Sequence, residues 1–78
     1  MHPTDQDLMD GLPDQPAAGQ WWRHRTGGLY QVVCVALAEA TQEPVVVYRK
    51  HMVGLTWTRP AAEFLDGRFT ATRSPFES

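Results

Sequence analysis

Arg23, His24 and Arg25 stand in a row just before Thr26 and the pair Gly27-Gly28. A glycine turn offers backbone N–H groups unobstructed by side chains, and guanidinium groups suit bidentate contacts. The segment therefore has the chemistry of an anion site. The structural alternative pairs Arg23 with a carboxylate such as Glu63 and leaves His24 to cap a strand end. A second constellation sets aromatic rings beside cations: Tyr48 is followed by Arg49-Lys50, and Trp57 stands two residues before Arg59. Such surfaces stack bases, grip proline-rich peptides or cage cations. The competing role for Tyr48 and Trp57, with Tyr30 and Phe64, is core packing. For Arg59 it is an ion pair anchoring the turn that follows Pro60. Arg23, His24, Arg25, Tyr48, Arg49, Trp57 and Arg59 form the candidate ligand-binding set.

Catalysis and metal chemistry find less support. His24 is the best general base by side-chain type, but no serine, threonine or cysteine joins it in a nucleophile motif, and no catalytic residue is assigned. His2, His24, His51 and Cys34 show neither C-x-x-C nor H-x-x-x-H spacing, so neither a metal nor another cofactor is expected. Cys34, inside the run Val32-Val33-Cys34-Val35, reads as a small core hydrophobe. A single cysteine excludes an internal disulfide framework and is compatible with a reducing compartment.

The elements that must position these residues are short strands. Trp21–His24 reads as a first strand, with Gly27-Gly28 as its turn. Leu29–Leu37 is rich in β-branched and aromatic residues and has no helix cap. Tyr30, Val32, Cys34 and Ala36 are expected on one face, and Gln31, Val33, Val35 and Leu37 on the other. Both faces are largely apolar, which suits a curved sheet closing on itself. The polar stretch Glu39–Glu43 reads as a loop, and Val45–Tyr48 as a third strand entered from Pro44. His51–Gly54 reads as a loop and Leu55–Thr58 as a fourth strand. Pro60–Leu65 is expected to be a helical turn ended by Asp66-Gly67, and Arg68–Thr72 a last strand. Five short strands and one helical turn predict an all-β fold, a small SH3-like β-barrel.

Length and charge bound the rest. With 78 residues and 42% hydrophobic composition, the chain supports one small domain whose core holds about a dozen side chains. That leaves little room for a deep active-site cavity. Residues 1–19 contain Asp5, Asp7, Asp10 and Asp14 and no Lys or Arg, a charge of −4. The seven Lys and Arg and five of the nine acidic residues fall in 20–78, which is mildly basic at +2. Residues 1–19, punctuated by Pro and Gly, read as an acidic disordered tail with room for a helical turn at Thr4–Met9. Residues 20–73 read as the barrel domain and 74–78 as a frayed C-terminus. Trp22 is expected in the core. Trp21 is expected to cover the barrel end or to form a self-association patch. Without a secretion signal or an apolar run of about 20 residues, a cytoplasmic protein that does not enter membranes is expected.

Three motifs in order, WRHRTGGLYQVVCVA, VVVYRK and TWTRPAAEFL, give the chain a family resemblance. It resembles the bacterial family known as domain of unknown function 1653, which typically reads Y-R-H-x-K-G-x-x-Y-x-V-L, then H-S-E-T, V-V-Y and W-x-R-P-x-x-x-F. The match covers about residues 21–66, without a gap from Tyr30 to Tyr48 and one residue short before Trp57. The resemblance implies an SH3-type β-barrel and no assigned biochemical role. Two departures stand out: Ala38-Glu39-Ala40-Thr41 replaces H-S-E-T, and Thr26 replaces the lysine before the glycine.

The expected function is a non-enzymatic binding module whose aromatic and arginine surface takes a phosphate-bearing or nucleic-acid ligand. The other expectation is a protein-interaction or structural subunit that binds a peptide, an edge strand or itself. Its partner is then a protein, and the chain is a monomer or a weak homodimer.

Overall fold

The turn that opens the domain shows why the local sequence folds as it does. Gly27 has φ +105°, a conformation closed to most side chains, and its N–H bonds the His24 carbonyl at 2.8 Å. This turn joins β1 (Trp21–His24) to β2 (Leu29–Leu37). β3 (Pro44–Lys50), β4 (Thr56–Pro60), the helical turn α1 (Ala61–Phe64) and β5 (Phe69–Thr72) follow. This computed structural model describes residues 12–76. The expected turn at Thr4–Met9, with the rest of residues 1–11 and residues 77–78, lies outside the described residues.

β1 and β2 occupy the spans expected of them, while β3 and β4 each extend two residues further at their C-terminal ends. The five strands make one antiparallel sheet in the order β4-β3-β2-β1-β5. The sheet is not closed: β4 and β5 are its edges. A flat sheet would hold those edges about 19 Å apart at about 4.8 Å per strand. Yet the Arg59 guanidinium of β4 lies 5.9 Å from the ring centroid of Phe69 in β5. The sheet therefore curls into a small barrel-like fold, and side chains rather than ladder hydrogen bonds bridge its seam. Phe64 of α1 completes that bridge by stacking on Phe69 at 4.2 Å with an interplanar angle of 8°.

The buried core comprises Trp22, Val32, Val46, Tyr48, Phe64 and Phe69, with Tyr30, Ala61 and Ala71 packed against it. Among the described residues it is smaller than the dozen side chains expected, and four of its six buried residues are aromatic. Large rings compensate for the short list, since each buries about 150–250 Å². Trp22 meets Phe64 edge-on at 5.2 Å, and Tyr48 meets Tyr30, Phe64 and Phe69 at 5.4–5.5 Å.

One expectation is corrected: Cys34 is exposed, not core. The cause is a bulge in β2. Val32 pairs with Tyr48 but Cys34 pairs with the next residue along, Val47, leaving Val33 without a register partner. An extra residue flips every later side chain to the opposite face. Beyond the bulge Val35, not Cys34, faces the side of buried Val46.

Both ends of the domain are tied in. The Gly19 N–H bonds the Val32 carbonyl at 2.9 Å, and Gln20 Oε1 accepts from the Ala17 N–H at 2.8 Å and from Trp22 Nε1 at 3.1 Å. Residues 74–76 form a small turn in which the Phe76 N–H donates to Ser74 Oγ at 3.1 Å. The Phe76 ring packs on Trp21 and His51.

Candidate ligand-binding groove

Strand alternation sorts the candidate residues onto two faces. Arg23 and Arg49 point to the outer face. His24, Tyr48, Trp57 and Arg59 point inward, and Arg25 lies in the β1–β2 turn. The structure thus does not gather them into one site.

The inward group has structural partners. Tyr48 is 5% exposed, and its hydroxyl accepts from Arg59 Nε at 3.3 Å. That hydrogen bond is the main cause that raises the Arg59 pKa above its usual value. The electrostatics of Tyr48, Glu63 and Asp66 add to it, and burial opposes it. Trp57 lies opposite Tyr48 in the register and is 51% exposed at the edge.

Around the glycine turn, Arg23 Nη1 donates to the Gly27 carbonyl at 3.0 Å, so its partner is backbone rather than Glu63. The Thr26 N–H donates to His24 Nδ1 at 3.2 Å, with Thr26 Oγ1 2.7 Å from the same nitrogen. A backbone N–H can only donate, so Nδ1 is the acceptor in that bond. The His24 ring rests edge-on against Phe69 at 4.9 Å. Arg23 and His24 therefore latch the turn, and Thr26, which departs from the family pattern, supplies part of the latch. Arg25 is exposed, and its backbone N–H bonds the Arg68 carbonyl at 2.8 Å. Among the described residues no group of three or more His, Cys, Asp or Glu could hold a metal ion.

The outer face carries the better-formed site. One register row crosses the whole sheet: Thr72, Trp21, Gln31, Arg49 and Thr56, from β5 to β4. Over its middle lies an open groove of about 580 Å³, within the size range of ligand pockets. Trp21, Gln31, Arg49, Lys50, His51, the 52–54 loop and Phe76 line it. The His51 N–H bonds the Leu29 carbonyl at 2.8 Å, which fixes the start of that loop to β2. Met52 at φ 65° and Gly54 at φ 87° then turn the loop back.

Three rings form a corner of this groove. Trp21 and His51 are 5.3 Å apart at 79°, Trp21 and Phe76 5.9 Å at 76°, and His51 and Phe76 5.9 Å at 76°. The three planes are nearly mutually perpendicular, so a flat group can stack on one ring while meeting the edges of the others. Arg49 and Lys50 place two cations beside that corner.

Of the sequence-predicted ligand residues, only Arg49 lines the groove. Trp21, Gln31, Lys50, His51 and Phe76 also line it and were not in the candidate ligand-binding set. The basic run Arg49-Lys50-His51 was the available signal. Nothing in the spacing indicated that Phe76 folds back across the sheet.

Among the described residues no helix is long and apolar enough to cross a membrane. No match was found among curated proteins or among solved structures. The family described as "Protein of unknown function (DUF1653)" matches residues 20–73, more than half of the chain. That span contains all five strands and α1, and the chain belongs to the DUF1653 family.

Proposed function

We propose that this protein is a non-enzymatic, cytoplasmic binding module whose outer groove takes a ligand combining a planar aromatic group with phosphate. The observation that carries this reading is the perpendicular corner of Trp21, His51 and Phe76 beside Arg49 and Lys50. Base–aromatic stacking contributes about 1–3 kcal/mol per base, and cations beside it neutralise the adjoining phosphate. His24, the best general base by type, has Nδ1 engaged by its own turn, which favours binding without catalysis. An amide NMR titration with a short mixed-sequence single-stranded oligonucleotide at low salt tests the reading. Shifts are expected at Trp21, Gln31, Arg49–Gly54 and Phe76, fading as salt rises. A spectrum in which these amides stay still sinks it.

A second reading rests on β4. Among the described residues this edge strand pairs only with β3, and it exposes Trp57, with Leu55 exposed just before it. Such an edge accepts an added strand from a peptide or from a second copy. Sedimentation over a range of concentrations tests the second-copy form: a mass that grows with concentration in the wild type and not in Trp57→Lys supports it. A constant monomer mass removes it.

A further inference from the structure

Gln31 stands between Trp21 and Arg49 in the register row, so ring, amide and cation follow one another at about 4.8 Å per strand. Among the described residues it is the only side-chain amide lining the groove. Its Nε2 donates to the Gly19 carbonyl at 3.4 Å, and the Gly19 N–H is held by the Val32 carbonyl at 2.9 Å. A carbonyl only accepts, so the nitrogen end of the amide must face Gly19. That leaves Oε1, which meets no donor among the described residues, and a second N–H to a ligand in the groove. Trp21 also borders a second cavity of about 270 Å³, lined in part by Leu12 and holding no other aromatic ring among the described residues. Stacking between rings is therefore confined to the groove.

Resting on the proposed binding of a planar, phosphate-bearing ligand, we infer that the groove takes an adenine nucleotide, free or within a single strand, and that Gln31 reads its base. An adenine stacked at the Trp21 corner presents N6–H as donor and N7 as acceptor, which one amide meets with its oxygen and its N–H. Guanine offers two acceptors at that edge, O6 and N7, and sets O6 against Oε1. Cytosine offers only a donor there, and uracil or thymine only an acceptor. The N7 edge lies on the side of the base nearer its own 5′-phosphate. The phosphate is thereby directed toward Arg49 and Lys50, which line the same groove.

The test is an amide NMR titration of the wild type and of Gln31→Leu. The probes are the nucleoside 5′-monophosphates of adenine, guanine, cytosine and uracil, and short single strands of adenine or of uracil. In the wild type each adenine probe is expected to bind at least about fivefold tighter than its counterparts with other bases. The tighter of the two adenine probes shows whether the free nucleotide or the strand is the ligand. Gln31→Leu should bring the bases to within about twofold of one another while the groove amides still shift, because stacking and phosphate contacts remain. Three results overturn the inference and leave the module reading standing: equal wild-type affinities for all bases, a guanine preference, or a Gln31→Leu loss that is the same for every base. If no probe moves the groove amides, both are overturned.

Discussion

Arg59 shows how a residue that looks like a ligand contact can belong to the fold. Its Nε donates to the buried Tyr48 hydroxyl, and its guanidinium sits over Phe69 across the open seam. Because the folded state raises its pKa, the protonated form is favoured. The associated stability is present at every pH below the usual arginine value and is lost only above it. Arg59→Met is expected to cost about 1–3 kcal/mol, from a charged hydrogen bond and a cation–π contact. A double-mutant cycle with Tyr48→Phe, read by urea unfolding, should show coupling; strictly additive losses would mean the pair does not interact. Of the residues behind the family resemblance, Trp22, Arg23, His24, Gly27, Tyr48, Arg59 and Phe64 are turn latches, core rings and seam contacts, while Trp57 is half-exposed on edge strand β4. The sequence therefore led to the architecture and drew the candidate site toward it. The groove residues come from four separate segments, and only tertiary folding brings them together.

At the level of elements, strand positions were legible because β-branched and aromatic runs alternate with Gly and Pro breakers. Strand faces were legible only as far as the bulge. A one-residue insertion has no signature in a run such as Val32-Val33-Cys34-Val35, where every residue is small or apolar. The corrected face has a direct consequence: Cys34 should react with a thiol reagent in the native protein at a rate close to that of the unfolded chain. Strong native-state protection would restore the core assignment. The β1–β2 turn makes a second test. Gly27 at φ +105° has open space around it, so its requirement is backbone conformation rather than room. Gly27→Ala is expected to destabilise by about 1–3 kcal/mol. At Gly28 an added Cβ would instead meet the Tyr30 ring at 2.9 Å, so Gly28→Ala should act by moving that ring. Equal thermal midpoints for wild type and Gly27→Ala would contradict the turn argument.

For the whole molecule, the charge division along the chain bears on how the groove is approached. Residues 20–78 carry +2, while Asp5, Asp7 and Asp10 precede Leu12, which lines the cavity beside Trp21. Three carboxylates joined to the chain at that point oppose an incoming polyanion over about a Debye length. Removing residues 1–11 is expected to tighten oligonucleotide binding by about two- to tenfold at low salt, with the difference vanishing at high salt. Equal affinities of the full and shortened chains at low salt would show that the charge of residues 1–11 does not reach the groove.

The groove's role in phosphate binding is tested most directly by the salt dependence of oligonucleotide affinity in the wild type and in the double variant Arg49→Gln/Lys50→Gln. Both side chains are exposed, so the variant should keep the wild-type circular dichroism spectrum. With about 0.7 counterions released per phosphate on a single strand, the slope of log K against log salt should be steep in the wild type. It should fall by about 1.4 in the variant. Identical slopes in the two proteins, or an affinity indifferent to salt, would contradict phosphate recognition by this groove.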